Sequence, residues 1–241
     1  MRKAVMIGMA AATATIGGCG EARSENGGPA VERAYTVGNF ERIEVAGAYD
    51  VEVRTGPAAS VRATGGQRDV DRMIVEVRGD TLSIHPKKRN GMSFGWSRHE
   101  KVRLTVTVPA LRGAEIAGSG DMRIDRVTGD AFDGTVAGSG SLRVGQLQVA
   151  RVKMGIAGSG EIRADGGRAG EAEYEIAGSG DINMGKVVSD TASVEIAGSG
   201  NVEANATRTA SVEIAGSGDV RLSGGAKCSV SKAGSGNVEC S

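Results

Sequence analysis

Ile176-Ala177-Gly178-Ser179-Gly180-Asp181-Ile182-Asn183-Met184 decides the fold. Its tetrapeptide Ala-Gly-Ser-Gly occurs seven times, beginning at Ala117, Ala137, Ala157, Ala177, Ala197, Ala215 and Ala233. The spacing is twenty residues four times and then eighteen twice. A fixed period of this length marks a repeat architecture, in which each supersecondary unit stacks on the next.

Apolar residues alternate with polar ones on both sides of the tetrapeptide. One residue before it stand Ile116, Val136, Ile156, Ile176, Ile196 and Ile214. Five residues after its alanine stand Met122, Leu142, Ile162, Ile182, Val202, Val220 and Val238. The intervening positions are mostly Glu, Arg, Asp, Asn and Ser, so each unit reads strand, corner, strand with one face buried. The two glycines are expected to supply the positive φ of a sharp corner.

Two assemblies use such a unit: a meander of antiparallel hairpins, or a parallel solenoid. Stacking in a solenoid places equivalent positions above one another, which accounts for columns that stay alike. The two-residue shortening also falls away from the tetrapeptide, where 185–190 gives way to 205–208. One corner is therefore constant while the opposite side varies, as coils require. The sequence predicts an all-β chain, a parallel β-solenoid (β-helix) with coils of about 20 residues and an irregular N-terminal β region. Small residues at Ala172, Ala192, Ala204 and Ala210 predict a narrow interior.

Residues 43–53 match the repeat with Ala46 in place of the tetrapeptide's alanine, a degenerate eighth copy. Further strands are expected over 60–64, 73–78, 81–85 and 102–108. At the far end Lys232 replaces the column isoleucine, so the last coil should face solvent. Cys228 and Cys240 lie five before and seven after Ala233, both at inward positions. In an oxidising compartment they are expected to form a disulfide that staples the last coil; the alternative is a pair of reduced, buried thiols.

The N-terminus reads as an export signal. Arg2 and Lys3 precede an apolar stretch over 4–16, too short to span a bilayer as a helix. Ile16-Gly17-Gly18-Cys19 then resembles a bacterial lipobox, with Cys19 as the lipidated residue; the other reading is an ordinary cleaved signal. Gly20 rather than Asp follows the cysteine, so the pattern carries no inner-membrane retention signal. The chain thus divides into a signal peptide (1–18), a lipidated tether (19–35), an irregular N-terminal β part (36–110) and regular solenoid repeats (111–241). The expected location is the bacterial cell envelope, as an outer-membrane lipoprotein facing the periplasm or the surface.

Several segments together resemble a known family. They are Phe40-Glu41-Arg42-Ile43-Glu44-Val45, the Gly-Asp-Thr-Leu-Ser-Ile segment at 79–84, and Val102-Arg103-Leu104-Thr105-Val106-Thr107-Val108 leading into Pro109-Ala110-Leu111. With the serial Gly-Ser-Gly corners, the pattern over 40–240 resembles the auto-transporter adhesin head GIN domain family. The resemblance implies an exported β-helical protein with an adhesin-like role, and it implies no catalytic residues.

Composition limits the function classes. The chain has 29 Lys and Arg against 29 Asp and Glu. A net charge of zero gives no global electrostatic reason to bind nucleic acid. The regular coils hold no histidine, and their charged residues follow strand alternation instead of converging. We therefore expect no enzyme activity, no cofactor and no metal; the alternative is an envelope β-helix that binds or cleaves polysaccharide.

Four features are candidate sites. The serines at Ser119, Ser139, Ser159, Ser179, Ser199, Ser217 and Ser235 form either a hydroxyl array or a turn column. The column Asp121, Ser141, Glu161, Asp181, Asn201, Asp219, Asn237 has the look of calcium β-rolls, but its period and its substitutions favour a solvated ladder. Arg78-Gly79-Asp80 spells an adhesion tripeptide but has ordinary hairpin chemistry. The strongest candidate is the segment 85–101, which departs most from the repeat. Its Lys87, Lys88, Arg89 and Arg98, with Phe94 and Trp96, would grip an anionic glycan or another envelope component by charge and ring contact. Membrane contact is expected through the lipid alone.

Overall fold

The computed structural model describes residues 28–87 and 101–241. Among these, no helix is long and apolar enough to cross a membrane. The N-terminal part contains β1 (Ala30–Tyr35), β2 (Arg42–Gly47), β3 (Asp50–Thr55), β4 (Ser60–Gly66), a one-turn α1 (Gln67–Asp71), β5 (Met73–Arg78), β6 (Thr81–Pro86) and β7 (Arg103–Val108). The repeats contain β8 (Gly113–Gly118), β9 (Asp121–Gly138), β10 (Ser141–Gly158), β11 (Glu161–Ala164), β12 (Gly167–Gly178), β13 (Asp181–Gly198) and β14 (Asn201–Gly216). The chain ends with β15 (Val220–Ser223), β16 (Lys227–Gly234) and β17 (Val238–Cys240).

The repeats stack in parallel and in register. Ala137, Ala157, Ala177, Ala197, Ala215 and Ala233 lie one above another from β9 through β16. Each coil is three-sided. In β10 the inward runs are Leu142 and Val144, then Leu147 and Val149, then Val152, Met154 and Ile156. The outward pairs Gly145-Gln146 and Ala150-Arg151 break the alternation and turn the chain. Two corners therefore exist beyond the one marked by the tetrapeptide. The coil shortens at these secondary corners: three residues fewer between the partners of Asn183 and Val188, and one more between those of Ser189 and Thr191.

The two glycines of each corner have different roles, which corrects the expectation that both need positive φ. Only the first does, with Gly178 at +135° and Gly198 at +137°. The second is buried in every copy. It leaves room for the coil beneath: a Cβ on Gly180 would lie 2.6 Å from both the Gly160 carbonyl oxygen and Ile156 Cγ2.

The degenerate copy is a true coil, with Ala46 and Gly47 stacked on Ala117 and Gly118. Its other side carries a coil from later in the chain, since β6 pairs with β2 and β7 with β3, all in parallel. The stacking order at this end is thus not the chain order. Antiparallel β5 on β6, and β4 and β1 beyond β7, close the end. The unexpected α1 carries a single buried side chain, Val70, and one turn suffices to place it against the core. β1 also begins before the expected boundary at 36: 30–35 form a strand paired with β4 and are not part of a free tether.

Candidate functional site

The described residues on either side of the basic segment fix where the chain leaves and rejoins the stack. Val45 pairs with Ile84, so His85 and Pro86 continue at the level of Ala46 and Gly47, where a corner is due. The chain rejoins the stack at Arg103, opposite Asp50. The described flanks, up to Lys87 and from Lys101, therefore bracket the position that a corner tetrapeptide holds in the other coils. Leu82-Ser83-Ile84 and Leu104-Thr105-Val106 carry the same alternation as Ile43-Glu44-Val45 and Val51-Glu52-Val53.

Both ends of the segment are fastened. Lys87 donates from its backbone N–H to the Arg72 carbonyl at 2.7 Å, and from Nζ to the Asp71 carbonyl at 2.6 Å. Lys101 Nζ sits 3.1 Å from Asp50 and 2.8 Å from Asp121. His85 Nε2 lies 3.1 Å from Glu76, and the His85 contact is the main reason the Glu76 carboxyl is held below its usual range. Lys88, Arg89, Phe94, Trp96 and Arg98 lie outside the described residues, as does Cys19.

The role of Lys101 has no signature in the sequence because its partners come from two other strands. Its hydrogen bond holds the Asp121 carboxyl below the usual carboxylate range, and Asp121 in turn raises the lysine. These side chains are 34–44 % exposed, so the cluster contributes less than about 1 kcal/mol. The carboxylate's share is full above pH ~4 and is lost as the pH falls through its depressed value; the lysine's share is lost only at alkaline pH. Lys101→Met should therefore be slightly less stable at pH 7, and the gap should close toward pH 2. Urea melts across that range would check it; a gap that widens in acid refutes the assignment.

The serine column is exposed. Its backbone does the structural work, because Ser159 N–H donates to the Gly138 carbonyl at 2.9 Å and Ser179 N–H to Gly158 at 2.8 Å. The ladder thus runs through the corner. The column of Asp, Ser and Asn forms the expected ladder. Ser141 Oγ donates to Asp121 at 2.7 Å, Asn201 Nδ2 to Asp181 at 2.8 Å, and Asn237 N–H to Asp219 at 2.8 Å. Among the described residues no group of three or more His, Cys, Asp or Glu is arranged to hold a metal. Arg78-Gly79-Asp80 is the β5–β6 turn, with Gly79 at φ +64° and the Asp80 carbonyl accepting from Glu41 N–H at 2.8 Å.

Two shallow grooves follow the strand face after the corner. One, of about 450 Å³, is lined by residues including Asp50, Arg103, Asp121, Arg123 and Arg143. The other, of about 600 Å³, runs past Asp181, Asn201, Glu203, Asp219 and Arg221. Both are floored by strands and crossed by ion pairs such as Arg143–Asp165 at 2.8 Å and Arg221–Glu203 at 3.2 Å. At the far end Cys228 and Cys240 are joined by a disulfide, with Cα atoms 6.7 Å apart.

A capped parallel β-solenoid with an outer surface of repeated polar columns is the class that fold and surface define. The family described as putative auto-transporter adhesin, head GIN domain, matches residues 39–226. The chain belongs to this family. No curated protein sequence matches it. Among solved structures, a putative adhesin from Bacteroides fragilis is similar with TM-score 0.82 and 23 % identity, covering 88 % of this chain and 97 % of its own. A putative lipid binding protein from Parabacteroides distasonis has TM-score 0.71 and 26 % identity, covering 90 % and 98 %. A putative adhesin from the same species has TM-score 0.70 and 22 % identity, covering 89 % and 98 %.

Proposed function

We propose that this chain is a non-enzymatic envelope lipoprotein that presents its solenoid as an adhesion or scaffold surface, held at the outer membrane by lipid on Cys19. The observation that carries this reading is the in-register stack, which repeats polar side chains along a rigid face. Such surfaces suit extended partners better than small substrates. A glycan or another envelope component is the partner we favour, met by the basic segment 85–101.

Dimensions fit an anchored surface. Eight stacked corners from Gly47 to Gly234 span about 34 Å at the usual strand spacing. From Cys19 to the start of β1 the chain reaches at most about 40 Å. A tether of that reach leaves the whole stack free to stand off the bilayer. Buried side chains fill the described solenoid interior, so in this reading lipid serves as the anchor and is not a ligand held inside.

Radiolabelled palmitate should enter the parent protein and be absent from Cys19→Ala; an unlabelled parent overturns the anchor. Protease added to intact cells should degrade the protein. Protection that persists until the outer membrane is opened overturns the adhesive role.

A further inference from the structure

The strand face that follows the corner carries a ladder of like charge. Arg123, Arg143 and Arg163 pair in register in β9, β10 and β11, each one coil, about 4.8 Å, from the next. Like charges directly opposite one another in adjacent strands are destabilising. One carboxylate serves two of the three: Asp165 accepts from Arg143 Nε at 2.8 Å and Nη2 at 2.9 Å, and lies 3.5 Å from Arg163. The Arg123 side chain has no ion pair or hydrogen bond among the described residues. Neither has that of Arg103, which opens β7 two coils below, opposite Asp50.

Arg103, Arg123 and Arg143 line the groove of about 450 Å³, which runs across the strands and along the stack. The carboxylates of that groove have partners. Asp50 and Asp121 hold Lys101, Asp125 accepts from the Thr55 N–H at 3.0 Å, and Asp165 holds Arg143. Glu52 is only half engaged, because Arg54 donates twice to Oε1 and leaves Oε2 free. The groove thus offers two unused guanidinium forks beside a free carboxylate oxygen. The second groove has the opposite balance, with Glu161, Asp181, Glu203, Asp219 and Glu239 against Arg221 alone.

We propose that the first groove binds a linear polyuronate, a glycan with a carboxylate on each sugar, laid along the stack from Arg103 toward Arg163. Each free fork takes a carboxylate through two parallel N–H···O bonds. Glu52 Oε2 accepts from a sugar hydroxyl, and the bound anion offsets the repulsion within the ladder. A phosphate monoester carries close to two charges and is repelled more strongly by the five acids that line the groove. From Arg103 to Arg163 the stack rises four coil steps, about 19 Å. The acidic second groove lies beyond, so the bound stretch of polyanion ends there. Binding at this groove rests on the glycan reading above but on neither the lipid nor the basic segment.

The full chain carrying Cys19→Ala would be titrated calorimetrically with polygalacturonate and with its uncharged methyl ester. The acid form should bind and the ester should not. Arg103→Gln and Arg123→Gln should each weaken binding by on the order of 10-fold, since each loses a charge-assisted pair of hydrogen bonds. Arg123→Lys should keep only part of the affinity, because the charge returns without the fork. Arg221→Gln, in the second groove, should leave binding unchanged. Neither groove arginine has a polar contact to lose, so urea midpoints of the Gln variants should match or exceed the parent's. Oligogalacturonates should gain affinity with length until they span about 19 Å and then level off. Parental affinity in both Gln variants overturns the site; if Lys88→Gln/Arg89→Gln/Arg98→Gln then abolishes binding, the glycan reading stands on the basic segment instead. Dextran sulfate bound as tightly as polygalacturonate overturns the carboxylate assignment, and a parent that binds no polygalacturonate overturns the partner.

Discussion

Gly178→Ala should destabilise the protein by about 4 kcal/mol, because two costs coincide at this corner. The residue sits at φ +135°, where a side chain is strained by about 1–3 kcal/mol. Its Cβ would also press on the Gly158 backbone of the coil below, and overpacking adds about 1–3 kcal/mol. Backbone cannot yield as a flexible side chain does, and the two coils are in register along their whole length. Three comparisons separate the costs. Gly180→Ala has the contact without the positive φ, so it should lose about 2 kcal/mol. Gly79→Ala, at φ +64° with nothing within 4 Å of the new methyl, should lose about 1 kcal/mol. Gly155→Ala has neither penalty, its nearest neighbour being Thr135 Oγ1 at 4.0 Å, and should be neutral or slightly stabilising. Urea unfolding of the four variants would establish the order. A Gly178 variant as stable as the Gly79 variant would refute the corner account.

The repeat makes the stacked part of the fold legible, because a column of like residues needs a reason to stay alike and in-register coils supply one. The disulfide is legible for the same reason: Cys228 and Cys240 fall at inward positions on either side of one corner. What periodicity cannot convey is stacking order. Residues 81–86 and 103–108 carry the same alternation as 42–55, but nothing in their pattern says that they lie beneath it. The secondary corners are hidden as well. Gly145-Gln146 and Ala150-Arg151 turn the chain by a two-residue skip in alternation, which resembles ordinary surface polarity until burial is known. The second corner glycine reads like the first because a sequence shows that a side chain is missing and not what would have struck it. At the candidate site, the basic composition of 85–101 is plain, whereas the corner position bracketed by its described flanks requires the pairing of Val45 with Ile84.

Tyr174 tests how tightly the solenoid interior is filled. Along the coil wall, Phe132, Val152 and Ala172 stack in one column and Gly134, Met154 and Tyr174 in the column two residues on. Large and small exchange places: Phe132 accompanies Gly134, Val152 accompanies Met154, and Ala172 accompanies Tyr174. These three coils thus keep similar side-chain volumes, whereas the next two carry Ala with Val, at 192 and 194 and at 210 and 212. Tyr174 is fully buried, and its hydroxyl has no hydrogen-bond partner among the described residues. Burial pushes the phenol well above its usual range, so it stays neutral at any pH the protein meets. Tyr174→Ala should cost about 3–5 kcal/mol, because neighbouring Ala172 cannot fill the space left behind. Tyr174→Phe keeps the ring and removes an unpaired polar atom, and should gain about 1 kcal/mol. Restoring volume from the other column, Ala172→Val in the Tyr174→Ala background should recover part of the loss, whereas Ala172→Val alone should destabilise by overpacking. Thermal melts of the four proteins give both signs. A Phe variant that loses stability would mean that the hydroxyl has a partner, and equal effects of Ala172→Val in both backgrounds would break the volume compensation between the two columns.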